Sequence, residues 1–324
     1  MRLILLLIGV LLSAQGLSKE KPSYETYVEA LKSEAFAKGF SKETIQTAFE
    51  GIKYYKRAVK ADKNQPEFKL TLDTYLPRAV PEWKVSQAVK KYNENRALLE
   101  KVGKAFNVQP RFIVALWGVE TNFGRLQGNY QIISALATLA YDGRREALFK
   151  KQLFAALQIL EDKHISKEKF LGSWAGAMGQ SQFMPTSFLA YAYDFDGDGK
   201  KDIWNNKADV FASIANYLSS EGWNGKYTWG RQVKLPADFN YKLAGLKKDK
   251  MKSLDEWQKL GVRRYDGSHL PTTNIKASLI MPDDEKGRIY LVYNNYHTLM
   301  HWNRSTYFGS AVGLLSDMIK LRVR

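Results

Sequence analysis

"ALWGVETNFG", residues 115–124, ends an apolar stretch on a carboxylate. Pro110 suits the first turn of a helix and Gly124 the position just beyond its end, so the pattern predicts a helix from about Pro110 to Phe123. On such a helix Ile113, Leu116 and Glu120 share one face, and Glu120 points where the apolar residues point. Burial disfavours a charged carboxylate, and so does the negative end of the helix dipole, so both raise the pKa of Glu120. A carboxyl group still protonated near neutral pH is what general acid catalysis requires. The competing reading is a Glu at the edge of the stripe, paired with Arg125 or Arg111.

Around this helix the chain reads as mainly α. Three- and four-residue apolar spacing runs from Tyr24 to about Leu160, and "LPRAVP", residues 76–81, breaks the pattern. After Gly230, "RQVKLP", "KASLIMP" and "RIYLVY" predict short strands, the last two joined as a hairpin through "DDEKG". Helical spacing returns in "STYFGSAVGLLSDMIKL". The expected organisation is a signal peptide over 1–18, an N-terminal helical arm over 19–100, and a catalytic core over 101–230. A small β-containing lobe over 231–295 and a C-terminal segment and helix over 296–324, packing back on the core, complete it.

The first 18 residues combine Arg2, an apolar run from Leu3 to Leu12 and small residues after it, the pattern of a secretory signal peptide; an uncleaved anchor is the alternative. The chain has no cysteine, so neither a disulfide nor a lipid-modified cysteine is available to it. A formal net charge of +16 is spread along the 324 residues, which favours an anionic polymer or membrane as the facing surface over a basic nucleic-acid-binding tail.

Residues 172–185, "GSWAGAMGQSQFMP", form a Gly-rich loop with small polar side chains, able to approach a ligand closely. It carries neither a phosphate-cradle pattern nor a dinucleotide fingerprint. Further on, "DFDGDGKKD" sets Asp194, Asp196 and Asp198 at positions one, three and five of an EF-hand-type loop, with Gly199 at six, the Lys200 carbonyl at seven and Asp202 at nine. Position twelve is Asn205 rather than Glu, so Asp209 is expected to complete the shell of a structural Ca²⁺ site. A solvated acidic turn is the alternative. His164, His269, His297 and His301 show no metal-ligand spacing, and His297 with His301 reads equally well as a helix surface pair.

"WGVETNFG", "LATLAYDGRR", "GSWAGAMGQSQFMP", "DFDGDGKKDIW", "SIANYL" and "WNRSTY", in this order, resemble the lytic murein transglycosylase B family over most of the chain after residue 18. The resemblance implies a lysozyme-like helical core in the periplasm, acting on peptidoglycan strands, with no nucleic-acid partner; a monomer is expected, and cell-wall assembly proteins are candidate partners. By motif, Glu120 resembles the family's single catalytic acid and base, and Ser173, Gln182, Tyr217 and Asn303 resemble its sugar-binding positions. The family often has Tyr where this chain has Trp302 and Phe308, and many relatives carry a lipid-attachment Cys that this chain lacks. The implied reaction is non-hydrolytic cleavage of the MurNAc–GlcNAc β-1,4 bond to a 1,6-anhydro product, assisted by the N-acetyl group. Two-carboxylate glycosidases need a second acid. Asp142 is the nearest candidate, read more simply as the ion-pair partner of Arg144 and Arg145. A hydrolytic muramidase and a wall-binding protein with an idle Glu120 are the other readings.

Overall fold

The computed structural model describes residues 21–64 and 70–323, so the expected signal peptide lies outside the described residues. The helix Pro110–Thr121 is central. Pro110 stands at its first position, and Phe112 to Gly118 are all buried, so the helix has no polar face to turn to water. The stripe expected from the sequence is therefore part of a helix enclosed nearly all round, as a helix at the middle of a core must be. It ends two residues earlier than expected, at Thr121, because Asn122 (φ 50°), Phe123 (φ 61°) and Gly124 (φ 83°) take left-handed backbone in succession. Phe123 is a costly residue for that conformation. Its ring is held by an edge-on contact with Trp117, centroids 5.5 Å apart, and a Cβ on Gly118 would approach that ring to 2.6 Å. Gly118 is required by this approach.

Two helical cores meet at Trp302, which packs against both, and the central helix lies within the first. In one, Leu72–Ala79, Glu82–Glu94, Arg96–Phe106, Lys207–Ser220 and Thr306–Arg322 pack with Pro110–Thr121. In the other, Tyr24–Ala37, Lys42–Phe49 and Lys56–Lys63 lie against the paired helices Ile132–Asp142 and Glu146–Glu161. Residues before 100 thus contribute to both cores. The break expected in "LPRAVP" falls later than its first residue: the helix Leu72–Ala79 runs through Pro77 and stops before Pro81. Pro77 lies inside this helix and costs it one intrahelical N–H donor.

The three strands predicted after Gly230 are joined by two that were not, Lys252–Ser253 and Arg263–Arg264, in a five-stranded antiparallel sheet ordered Lys252–Ser253, Lys276–Ile280, Tyr290–Val292, Gly230–Lys234, Arg263–Arg264. Ser278 pairs with Val292 and Ile280 with Tyr290. Both faces of the sheet are covered. Ala277, Leu279 and Leu291 pack into the lobe beside Trp257, whereas Ile280, Tyr290 and Val292 point the other way into the first helical core, as the two-residue period of a strand demands. The lobe is thereby fixed to the helices rather than tethered.

Arg144 and Arg145 do not pair with Asp142. Both reach Asp62, whose side chain is 2% exposed: Arg144 Nε donates at 2.8 Å to Oδ2, and Arg145 bonds Oδ1. Asp142 instead pairs with Lys63 at 2.8 Å. The local sequence puts the arginines two and three residues from Asp142, but the helix cap at Gly143 (φ 92°) turns them toward the Lys56–Lys63 helix.

The asymmetry of this cluster predicts an asymmetric response. Removing both cations by Arg144→Ala/Arg145→Ala leaves a buried carboxylate alone and is expected to destabilise by about 3–5 kcal/mol. Asp62→Ala leaves two half-exposed guanidinium groups that water can reach, and is expected to cost about half as much. Urea denaturation of the three proteins measures both, and equal losses would contradict the account.

Candidate active site

Glu120 occupies the last turn of the central helix and is partly buried at the seam between the two helical cores. The indole N–H of Trp302 donates to its Oε1 at 2.6 Å. Burial pushes the carboxyl up to about 7, and the indole bond, which favours the charged form, opposes the rise without cancelling it. Neither arginine expected as an alternative partner takes that role: Arg111 bonds Asp317 at 3.0 Å, and Arg125 is exposed. A carboxyl group poised near neutral pH can both give and take a proton.

Trp302 ends the helix Asn294–Trp302 and reaches Glu120 across 182 positions of sequence. Its ring meets Tyr217 at 4.7 Å and Phe183 at 5.3 Å, and Tyr217 meets Tyr191 at 4.5 Å. These rings make an aromatic wall beside the carboxyl. Burial, then the charge of Glu221, raises the Tyr217 phenol, so it stays neutral. Glu221 itself accepts from the Tyr191 hydroxyl and lies 2.8 Å from His301 Nδ1. Tying these three elements together steadies the helix that carries Trp302. His301 was legible in the sequence only as one of a surface pair; the spacing held no sign of Glu221, 80 residues away.

Behind the wall, the Gly-rich loop is fastened to the central helix by Gln180. Its Oε1 accepts from Trp117 Nε1 at 2.8 Å, its Nε2 donates to the Trp204 carbonyl at 2.8 Å, and its own carbonyl accepts from Thr121 Oγ1 at 2.9 Å. Gln180 is buried, so these bonds are what make its burial tolerable. Sequence reasoning counted Gln180 only among the loop's small polar groups and missed this anchor. A Cβ on Gly172 would come within 2.2 Å of the Ala177 carbonyl, and one on Gly128 within 2.1 Å of the Gly172 carbonyl, so these glycines let three backbone segments close on one another.

Of the sugar-binding residues expected, Tyr217 lies in the wall against Trp302. Ser173 is on the loop, its Oγ accepting from the Ala177 N–H at 2.9 Å. Gln182, at φ 51°, donates its amide to the carbonyls of Gly179 (2.9 Å) and Gln127 (3.2 Å), which leaves its Oε1 unused by those bonds. Asn303 follows Trp302 directly and is exposed. Phe308 is buried in the first core, whereas Trp302 supplies the polar N–H on this wall. Asp142 stands at the end of the helix Ile132–Asp142 remote from the loop strand pair, roughly 15 Å along its axis.

The acidic loop brings together carboxylate oxygens of Asp194, Asp196 and Asp209 within 4.8 Å of one another. Asp198 is not in this group; its Oδ1 accepts from the Lys200 N–H at 2.8 Å. Asp202, at position nine, caps its own turn through the N–H groups of Trp204 and Asn205. Asp209 is fully buried and accepts from the N–H groups of Phe195 (2.9 Å) and Asp202 (2.8 Å), tying the loop to the helix Lys207–Ser220. Burial first, and the charges of Asp196 and Asp194 after it, raise its carboxyl to about 6. An all-oxygen donor set whose members repel one another fits a hard cation.

Residues 23–317 match the family described as "Transglycosylase SLT domain". The chain is 34% identical over 243 residues to membrane-bound lytic murein transglycosylase B of Escherichia coli (strain K12), an alignment that takes in 73% of this chain and 64% of that protein's length. The crystal structure of SltB3 from Pseudomonas aeruginosa in complex with NAG-anhNAM-pentapeptide superposes with a TM-score of 0.89 at 41% identity, covering 92% of this chain and 80% of that one. The Escherichia coli lytic transglycosylase Slt35 in complex with calcium superposes with a TM-score of 0.77 at 27% identity, covering 93% and 94%. By the match over residues 23–317, which spans nearly all its described residues, the chain belongs to the transglycosylase SLT domain family.

Proposed function

We propose that this protein is a lytic murein transglycosylase that cleaves the MurNAc–GlcNAc β-1,4 bond of peptidoglycan without water. The observation that carries the reading is Glu120: a lone carboxyl in the last turn of a buried helix, raised to about 7 and bonded by an indole rather than paired with a cation. Glu120 gives its proton to the glycosidic oxygen as the C1–O bond breaks, and the N-acetyl oxygen of the same sugar stabilises the positive centre at C1. The C6 hydroxyl then attacks C1, its proton passing to the Glu120 carboxylate. The acid is restored and the product is the 1,6-anhydro sugar. Asp142, bonded to Lys63 at the far end of its helix, is poorly placed to be the second carboxylate of a hydrolase.

Tyr217, Ser173, Gln182 and Asn303 are assigned to sugar binding, with Tyr217 packed against the more exposed Trp302. The protein is assigned to the periplasm after removal of residues 1–18; among the described residues no helix is long and apolar enough to cross a membrane. Ca²⁺ is assigned to Asp194, Asp196 and Asp209 with the Lys200 carbonyl, the calcium-bound Slt35 structure supporting the choice of ion. There it would neutralise the cluster and hold the loop to the helix bearing Tyr217.

Glu120→Gln is expected to lower the rate of glycan release from sacculi by at least 10²-fold, on the order of what general acid catalysis supplies. Mass spectrometry of the wild-type products should find them lighter by one water than hydrolysed muropeptides. The same substitution should stabilise the fold. Because the folded pKa of about 7 lies above the ordinary 4.5, the wild type holds the extra proton between these values and loses stability as pH rises through them. The variant should match the wild type below pH 4 and exceed it above pH 7, by up to about 3 kcal/mol. A variant less stable at pH 8 would contradict the burial argument.

Trp302→Phe removes the donor that favours the charged carboxylate, so the acid form should persist to higher pH. The alkaline limb of the kcat/KM profile is expected to move upward by about half a pH unit or more, with the variant still folded. A limb that stays in place or moves downward would separate Trp302 from the titration of Glu120.

Added Ca²⁺ is expected to raise the wild-type unfolding free energy by about 3 kcal/mol at a hundredfold excess over its dissociation constant. Asp196→Ala should lose most of that gain and keep most of its activity well below its melting temperature. Equal melting temperatures with Ca²⁺ and with chelator would remove the ion from the account.

A further inference from the structure

At the opposite end of the central helix from Glu120, a cleft of about 490 Å³ opens where the helical core meets the β lobe. Junctions of this kind, and volumes of this size, are where small-ligand sites form. Arg111, Lys226, Arg231 and Lys320 line it, and among the described residues of its lining there is no carboxylate. Asp317 offsets one of the four charges by bonding Arg111 from the side.

The cleft is built rather than merely basic. Arg111 is fixed by Asp317 at 3.0 Å, Ser316 at 3.3 Å and Thr228 at 3.3 Å, and Arg231 Nε donates to the buried Tyr293 hydroxyl at 2.6 Å. Beneath them Gln109 donates to the carbonyls of Gly225 (2.6 Å) and Tyr227 (2.8 Å) and accepts from Trp223 Nε1 at 2.8 Å, so the floor carries its own bonds. The Arg231 guanidinium is thus aimed with only its Nε engaged by that bond, and the positive end of the central helix faces the same space. The Arg231 guanidinium, held at its Nε and flanked by the ammonium groups of Lys226 and Lys320, suits a planar anion such as a carboxylate.

We propose that this cleft is a second binding site, distinct from the Glu120 site, and that it takes the terminal carboxylate of a peptidoglycan stem peptide. The assignment rests on the murein reading above, since the glycan backbone of that polymer is uncharged between its substituents and the stems carry its carboxylates. Arg111 and Glu120 are nine residues apart on one helix, roughly 14 Å along its axis, so the cleft is separate from the carboxyl that cuts the sugar. Such a contact would raise the time the enzyme spends on the wall through a second point of attachment.

The test uses the mature protein and Nα,Nε-diacetyl-L-Lys-D-Ala-D-Ala, a stem analogue with a single carboxylate, titrated by calorimetry or NMR. The acid should bind, and its C-terminal amide should bind about tenfold or more weakly, as expected for loss of a charge-assisted contact. Lys226→Gln/Arg231→Gln should weaken the acid to a similar degree while leaving cleavage of peptide-free glycan strands unchanged. Glu120→Gln should bind the acid as the wild type does, so that loss of peptide binding and loss of the catalytic assignment are read separately. Equal binding of acid and amide to the wild type, a comparison that needs no variant, would overturn the proposal. So would undiminished binding by the double variant, or binding of inorganic phosphate with none of the tripeptide.

Discussion

Burial of the helix Pro110–Thr121 on nearly every side is the constraint on which the other features depend. A helix so enclosed can neither rotate nor shift without disturbing the core around it, since interiors are packed as densely as crystals. Its last turn therefore holds Glu120 at a fixed place, and the surrounding protein, poor in compensating charge, keeps its proton on. Close approach is needed on more than one side. Gly118 admits Phe123 and lies against Leu315, and on the helix Thr306–Arg322 a Cβ at Gly313 would come within 2.3 Å of the Trp229 ring. Small residues here fix the spacing of the helices, and that spacing fixes the carboxyl.

Around this helix, polar groups that would be costly to bury alone are used as fasteners. Gln180, Thr121 and Trp117 bind the Gly-rich loop to it, and Asp209 binds the acidic loop to the helix that carries Tyr217. Each is buried with its bonds made. The site is consequently preorganised by elements that touch no reacting atom, in keeping with the idea that catalytic geometry is held by the shell behind it. The left-handed run Asn122–Phe123–Gly124 lets the chain leave the helix at once after Glu120, freeing Gly124 N–H to bond Thr121 Oγ1 at 3.0 Å. Backbone strain at this point is compensated by packing of the Phe123 ring.

Charge follows a different logic from packing. The surplus of cations is not uniform in what it does. Some of it is neutralised in tight clusters, as at Asp62, while some is left facing solvent at the junction of the lobe and the core. The first arrangement holds the Lys56–Lys63 helix against the main body; the second leaves a positive field that Asp317 offsets only at Arg111.

Sequence alone determined the helix bearing Glu120, its apolar surroundings, the short strands after Gly230 and the grouping of aspartates after Tyr193, because each is written in local spacing. It also carried the ordered motifs that the family comparison bears out. Tertiary structure decided what those residues meet. That Trp302 rather than an arginine bonds Glu120 and that Arg144 and Arg145 turn from Asp142 to Asp62 are outcomes of chain reversals many residues long, whereas Asp198 is kept out of the expected cluster by its own turn. Periodicity specifies which face of a segment is buried, but not which distant segment covers it. The pKa of Glu120 belongs to this second class: its direction follows from an acid on an apolar face, and its size from how completely the two cores close around it.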